Sequence, residues 1–290
     1  MKEIAIIGST ASGKTALSLE IANKTNSIIL SLDSLCVYKE IEIASAKPTL
    51  EERGDIIHFG IDEVYPNEEF DVIKFIELYK KAKDYAISND KNLIIVGGTG
   101  FYLKALIDGL SQGIETKIKL DIPQEDAYDL LYKIDKEYME KIEKNDRYRI
   151  EKAYAIYKQT SLGPTQYFQK NPKIAVAKDL KIFEILWDKE ELKNRILKRT
   201  KIMINSGIID EVIFLEKKYT REPNSMSSIG IIETLEYLDG KLTKQELEEK
   251  ISANTAKLAK RQNTFNKSQF LEKTSNIIEN LNSDIIKYFS

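Results

Sequence analysis

Short, nearly all-apolar runs alternate with helical stretches over the first third of the chain. Three of these runs, Ile4–Ile7, Ser27–Leu32 and Leu93–Val96, are typical of parallel strands that are buried on both faces. Thr15–Lys24 and Phe70–Ser88 are predicted as helices, the second because its apolar residues recur at helical spacing. This alternation of strand and helix predicts βαβ units and an α/β fold built on a doubly wound parallel sheet.

The rest of the chain predicts an inserted helical segment and a helical C-terminal part. Ile182–Trp187 is predicted as a returning strand, and from Lys189 onward the pattern is helical almost without a break. Residues 113–172 are rich in Tyr and Lys and contain no long β-run. We therefore expect a core of residues 1–112 and 173–290, with a helical insertion at 113–172.

Composition excludes several classes of protein. The chain has 290 residues, of which 42% are hydrophobic and 31% charged, so it can bury a core. One Cys and one His exclude a disulfide scaffold and a structural zinc site. The apolar runs, including the one at the start, are too short for a signal peptide or a membrane span, and we expect a soluble cytoplasmic protein without membrane contact. The net charge of −2 means that any nucleic-acid surface has to be a local patch.

The first candidate for chemistry is a glycine-rich loop between a strand and a helix. It matches G-x-x-x-x-G-K-[ST] at every fixed position. The match predicts a P-loop NTPase-like core whose loop binds a phosphate chain through Gly8, Ser9, Thr10, Ala11, Ser12, Gly13, Lys14 and Thr15. Lys14 supplies a full positive charge, and the Thr15 hydroxyl is a candidate ligand for Mg²⁺.

Two further polar groups follow predicted strands. Asp33 ends the second strand, where it can act as a general base or as a Mg²⁺ ligand through water. A cap of the next helix is an equally good interpretation of Asp33. Thr99 lies in the glycine-rich turn Gly97–Tyr102 after the third strand, which lets the backbone approach a ligand closely. Asp33, Thr99 and the glycine-rich loop are expected at one edge of the sheet.

Basic and aromatic residues form candidate patches for binding a nucleic acid. Residues 193–201 contain five Lys or Arg and residues 253–267 contain four, with no acidic residue in either stretch. Five tyrosines of the insertion could stack on bases: Tyr132, Tyr138, Tyr148, Tyr154 and Tyr157. The alternative for each feature is a solvated helix face or a core tyrosine. His58 is interpreted as structural and Cys36 as a small packing residue.

The ordered motifs resemble one family, the tRNA dimethylallyltransferases, also called isopentenyl-tRNA transferases. The phosphate loop alone is shared by many families, but the ordered series is specific. The resemblance covers almost the whole chain and rests on seven blocks: Gly8–Thr15, Asp33–Tyr38, Ala44–Thr49, His58–Asp62, Gly97–Tyr102, Asn145–Ala153 and Ala259–Phe265.

The resemblance implies transfer of the dimethylallyl group of dimethylallyl diphosphate to N6 of adenosine 37 in tRNA, next to the anticodon. Diphosphate is released, and Mg²⁺ is the expected cofactor. The resemblance assigns catalysis to Asp33 and Thr99, and it implies that an arginine of Arg195–Arg199, with Arg199 preferred, joins the loop on the diphosphate. Contacts with tRNA are implied for Asp33, Ser34, Leu35, Cys36, Thr99, Tyr148, Arg149, Lys152, Lys260 and Arg261. A monomer is expected, and which tRNAs are modified stays open.

The chain departs from the family pattern at several presumed RNA contacts. Cys36 stands where the family has Gln, and Ala44-Ser45 stands for Gly-Thr. Two basic residues and a Tyr are missing from Ser227–Ile232, and Thr255–Leu258 also differs from the family. The insertion looks shorter than usual. These differences suggest RNA binding that is weaker or distributed differently.

Two other functions compete with this interpretation. A small-molecule P-loop kinase would transfer the γ-phosphoryl group of ATP, but we find no clear Walker-B strand ending in Asp and no Arg-rich lid. A non-catalytic P-loop protein would bind RNA or a partner, but Asp33 and Thr99 argue against it. Labelled dimethylallyl diphosphate or ATP, incubated with tRNA and the protein, distinguishes the three.

Overall fold

A computed structural model describes residues 1–111 and 119–290 of the chain. The chain divides into two compact units, one of Met1–Lys104 together with Ala177–Ser290 and one within Ala105–Val176. Residues 113–118, where the insertion is expected to start, lie outside the described part. Within that part, no helix is both long enough and apolar enough to cross a membrane.

A six-stranded sheet forms the centre of the larger unit. Its strands are β1 (Glu3–Ile7), β2 (Ser27–Ser31), β3 (His58–Phe59), β4 (Asn92–Gly97), β5 (Lys181–Ile185) and β6 (Thr274–Asn276). Their order is β3-β2-β4-β1-β5-β6, and each neighbouring pair is parallel. The predicted α/β class with a parallel sheet is therefore confirmed. The segments that follow β1, β2 and β4 lie at the same edge, where ligands bind in such sheets.

Helices connect and flank these strands. In the described residues they are α1 (Lys14–Lys24), α2 (Leu50–Arg53), α3 (Val72–Ser88), α4 (Gly100–Asp108), α5 (Gln124–Ile134), α6 (Lys136–Met139), α7 (Arg147–Thr160), α8 (Pro164–Lys170), α9 (Lys189–Asn205), α10 (Ile208–Tyr219), α11 (Ile231–Leu238), α12 (Lys244–Gln269) and α13 (Ile278–Phe289). A 3₁₀ turn at Asn224–Ser227 precedes α11.

Helices cover both faces of the sheet because side chains alternate along each strand. Ile4 and Ile6 of β1 share a buried cluster with Leu17 of α1 and with residues of α13. On the opposite face, the Tyr79 hydroxyl of α3 donates a hydrogen bond to the Glu3 carboxylate at 2.9 Å. The central strands are therefore buried on both sides, which explains their nearly all-apolar sequences.

The edge strands differ from what the sequence pattern predicts. Helix is predicted from Lys189 onward almost without a break, and this is wrong at Thr274–Asn276, which forms β6. This Thr-Ser-Asn strand has no apolar side chain, so only its pairing with β5 defines it. The two-residue strand β3 pairs with β2, and the hydrophobic pattern does not predict this strand either.

The smaller unit has its own hydrophobic core, formed by helices α5, α6 and α7. Tyr154 lies within this core, 2% exposed, and Tyr132, Tyr138 and Tyr157 pack against it. The interpretation as a core tyrosine is therefore confirmed for Tyr154, whereas the other three are partly buried against this core. Tyr148 differs, because 68% of its surface is exposed.

Candidate active site

The glycine-rich loop after β1 curls around the ammonium group of Lys14. Lys14 Nζ donates hydrogen bonds to the carbonyl oxygens of Gly8 at 3.0 Å and Ser9 at 2.6 Å. Gly13 has a φ of 89°, which favours glycine, and helix α1 begins at the next residue. The free N–H groups and the positive end of this helix therefore face the loop.

Two further side chains hold the backbone of this loop. Arg195 Nε donates to the Ala11 carbonyl at 2.7 Å, and Trp187 Nε1 donates to the Ser12 carbonyl at 2.8 Å. The Arg195 guanidinium also lies over the Trp187 ring, 4.3 Å from its centre. Arg195 is thus bound to the loop backbone, and Arg199, one helical turn further along α9, lines the site.

Two clefts open at this edge of the sheet. The lysine cleft includes Lys14, Thr15 and Cys36 in its lining. The threonine cleft includes Thr99 and Tyr102 and has a volume of ≈ 500 Å³. The two clefts share seven lining residues: Thr10, Asp33, Ser45, Gly98, Arg199, Leu258 and Gln262. The structure therefore brings the predicted loop, carboxylate and arginine together at one place.

The charges in the lysine cleft favour an anionic ligand. Burial lowers the pKa of Lys14 to about 8, while the neighbouring Asp33 carboxylate opposes this shift. Burial also lowers the pKa of Arg199, again opposed by Asp33. Two largely buried cations thus face one carboxylate, and the excess positive charge suits a phosphate group.

Asp33 lies in a turn at the end of β2. Its Oδ1 accepts a hydrogen bond from the backbone N–H of Leu35 at 2.9 Å. No helix begins there, since the next one, α2, begins at Leu50. The interpretation of Asp33 as a helix cap is therefore wrong, and its carboxylate instead holds a turn that borders both clefts.

The glycine-rich turn after β4 packs closely on the end of β2. A Cβ at Gly97 would lie 2.6 Å from Leu32 Cβ, so only glycine fits. Thr99 Oγ1 accepts a hydrogen bond from the backbone N–H of Ser34 at 3.3 Å. The Thr99 hydroxyl is therefore hydrogen-bonded to the residue that directly follows Asp33 in the chain.

Gln262 is a site residue that the sequence interpretation missed. Its side chain contacts the backbones of Thr10 and Gly98, from the loops after β1 and β4. It belongs to a stripe of α12 residues that lines the threonine cleft: Ile251, Thr255, Leu258 and Gln262. The spacing of four, three and four residues is typical of one helix face. Because Thr255 and Gln262 are polar, a search for apolar helix faces does not find it.

The departures from the family pattern lie mostly on the threonine cleft. Ser227, Ser228 and Ile229 line it together with Thr255 and Leu258, and none of them is charged. Cys36 is 7% exposed, and burial raises the pKa of its thiol. His58 lines the lysine cleft, and its Nδ1 lies 2.8 Å from the Ile56 carbonyl oxygen.

Other predicted RNA contacts belong to α12 and to the smaller unit. Lys260 and Arg261 are exposed on α12. In the smaller unit, Lys152 Nζ lies 5.2 Å from the centre of the exposed Tyr148 ring. Arg149 forms an ion pair with Asp146, the residue that caps the N-terminus of α7. These assignments stay predictions.

The oxygen donors near the loop fit a magnesium ion. The exposed Thr15 lies at the start of α1 and lines the lysine cleft with Asp33. In residues 1–111 and 119–290 there is no cluster of three His, Cys, Asp or Glu that could hold a metal by itself. Mg²⁺ does not need one, because it is commonly bound by one or two protein oxygens together with substrate phosphates.

Together, these features define an α/β protein with a parallel sheet and a cationic, glycine-rich loop beside a carboxylate. A family model described as "IPP transferase" matches residues 36–269. The chain therefore belongs to the IPP transferase family, as the sequence resemblance indicates.

Individual relatives match over most of their length. A tRNA dimethylallyltransferase of Aliarcobacter butzleri is 81% identical over 290 residues and covers 100% of both chains. One of Sulfurimonas denitrificans is 52% identical, with 96% of this chain and 98% of that protein covered. A solved eukaryotic dimethylallyltransferase acting on tRNA has a TM-score of 0.84 at 27% identity, covering 96% of this chain and 74% of that one.

Proposed function

We propose that this enzyme transfers the dimethylallyl group of dimethylallyl diphosphate to N6 of adenosine 37 in tRNA, with Mg²⁺ as cofactor. Transfer of a dimethylallyl group to tRNA follows from membership of the family and from the 81% identical relative. The observation that carries the choice of donor is the pair of cations, Lys14 and Arg199, beside Asp33. A monomer in the cytoplasm remains part of this proposal.

On the donor side, the loop receives the diphosphate. Backbone N–H groups at the start of α1 and the Lys14 ammonium bind its oxygens, and Arg199 reaches the same lysine cleft. Mg²⁺ held by Thr15 would supply positive charge to the departing diphosphate. These groups stabilise the negative charge that develops as the allylic C–O bond breaks.

On the acceptor side, the adenine enters the threonine cleft, because Asp33 and Thr99 both border that space. The N6 nitrogen attacks C1 of the dimethylallyl group, and the electron pair of the C–O bond leaves with the diphosphate. The Asp33 carboxylate accepts the proton that N6 loses. Thr99 orients the amine through its hydroxyl. Atoms and charge balance without any further reactant.

Transfer of label tests this proposal directly. The protein is incubated with tRNA, MgCl₂ and dimethylallyl diphosphate labelled in the allyl group, and the tRNA is digested to nucleosides. We expect the label on N6 of a single adenosine and equimolar diphosphate. Label delivered from [γ-³²P]ATP to a small molecule, with none entering tRNA from the allyl donor, would instead identify a kinase.

The pH profile of the donor step should report the charge of Lys14. Its pKa of about 8 means that the free enzyme loses this positive charge as the pH rises through 8. We expect kcat/KM for the diphosphate donor to fall roughly tenfold per pH unit above that point. Lys14→Arg keeps its charge, so its profile should stay level to pH 9.5. A level profile for the parent enzyme would contradict the assignment.

Binding of tRNA should weaken steeply with salt, although the net charge of the chain is −2. Each phosphate that is neutralised contributes about −0.7 to −0.9 to the slope of log K against log salt. Replacing the exposed Lys260 and Arg261 by Ala should flatten the slope by roughly 1–2 units. The control replaces Lys217 and Lys287, exposed on other helices. A parent slope near zero, or equal flattening in both double variants, would refute this prediction.

A further inference from the structure

We infer that Gln262 is a positioning residue that sets the separation between the donor and acceptor sides of the site. Its side-chain amide joins two backbone segments, one in the diphosphate loop and one beside Thr99. The inference rests on the proposed function, because that function assigns these segments to the two substrates.

The geometry of the bridge uses both ends of the amide. The Thr10 N–H donates to Gln262 Oε1 at 2.8 Å, and Gln262 Nε2 donates to the Gly98 carbonyl at 3.0 Å. Both partners are main-chain groups, so the bridge restrains the backbone of each loop. The reversed amide would place two donors together at Thr10 and two acceptors together at Gly98. The orientation of the amide is therefore dictated by the two loops.

Gly98 leaves the space that the bridge requires. A Cβ at this position would lie 2.3 Å from Gln262 Nε2, so any other residue here would displace the Gln262 amide from its place. The next residue is Thr99, whose hydroxyl accepts the hydrogen bond from the Ser34 N–H. Hydrogen bonds thus run from the diphosphate loop through Gln262 to the turn that contains Asp33.

A bridge between these two loops affects the rate of the transfer step more than it affects substrate binding. Displacement at C1 requires the attacking nitrogen and the carbon to approach within about 3–3.5 Å in line with the leaving oxygen. A small shift between the two loops disturbs this alignment, whereas the contacts that bind diphosphate and tRNA remain. Gln262 therefore acts through the residues that it holds and need not contact either substrate.

The test compares two substitutions of Gln262. Gln262→Met has a similar length but lacks both hydrogen bonds, and we expect kcat to fall by ~10–10²-fold while both KM values stay within about threefold. Gln262→Glu can form both bonds only when it is protonated, so its kcat relative to the parent should rise as the pH is lowered. Gln269→Met, on the exposed end of the same helix, is the control and should retain the parent kcat.

The outcomes separate this inference from the proposed function. If the parent transfers label but Gln262→Met keeps its kcat within twofold, or loses only melting temperature, Gln262 has no positioning role. A Gln262→Glu activity ratio that does not change with pH also overturns the inference, and it does so even where Gln262→Met fails to fold. If the parent transfers no label, the proposed function fails and the inference falls with it.

Discussion

Replacing Asp33 by Asn should lower kcat by ~10²–10⁴-fold, which is the range for a lost general base. The amide of Asn can still accept the hydrogen bond from the Leu35 N–H, so the turn is preserved. It cannot accept the proton of N6. Because we propose that phosphate contacts elsewhere carry the binding of tRNA, the Kd for tRNA should change by less than about tenfold.

A helix cap supplies the control for this prediction. Asp188 caps α9 by accepting hydrogen bonds from the Glu190 and Glu191 N–H groups. Asp188→Ala should cost ~0.5–2 kcal/mol of stability and leave turnover per folded molecule unchanged. The measurement is kcat, tRNA Kd and melting temperature for the Asp33 and Asp188 variants. If Asp33→Asn retains turnover and only its melting temperature changes, Asp33 is structural.

Replacing Lys14 by Ala should lower kcat/KM for the diphosphate donor by ~10²–10³-fold, the cost of one donor aimed at developing negative charge. Lys14 is the only charged residue within the loop Gly8–Thr15. The loop should keep its shape in this variant, because Arg195 and Trp187 hold its carbonyl groups independently of Lys14. The affinity for tRNA should change little.

The matched control is Lys24→Ala, at the other end of the same helix. Lys24 is exposed and pairs with Glu20, so its loss should leave turnover and donor KM at the parent values. Steady-state kinetics with varied donor at saturating tRNA make the comparison. Unchanged kcat and unchanged donor KM in Lys14→Ala would reject the assignment of the loop to diphosphate.

The main strands and the loop could be predicted because their signals are local. β1, β2 and β4 are buried on both faces, so their sequences are nearly continuous apolar runs. The loop Gly8–Thr15 has a spacing that only one kind of strand-to-helix turn satisfies. The boundaries were less clear, because a cap can override the apolar pattern. Helix α3, for example, begins at Val72 and not at Phe70, since Asp71 accepts hydrogen bonds from the first free N–H groups.

The sequence by itself determined the α/β class, the phosphate loop and the position of Asp33 and Thr99 at strand ends, because each depends on neighbouring residues. Only the tertiary structure decided that Arg195 holds the loop while Arg199 lines the clefts, since the two lie one helical turn apart and differ only in what they face. It also decided that Gln262 bridges Thr10 and Gly98, which are 252 and 164 residues away in the chain. Contacts over such separations follow from how the helices pack on the sheet, so no local sequence pattern predicts them.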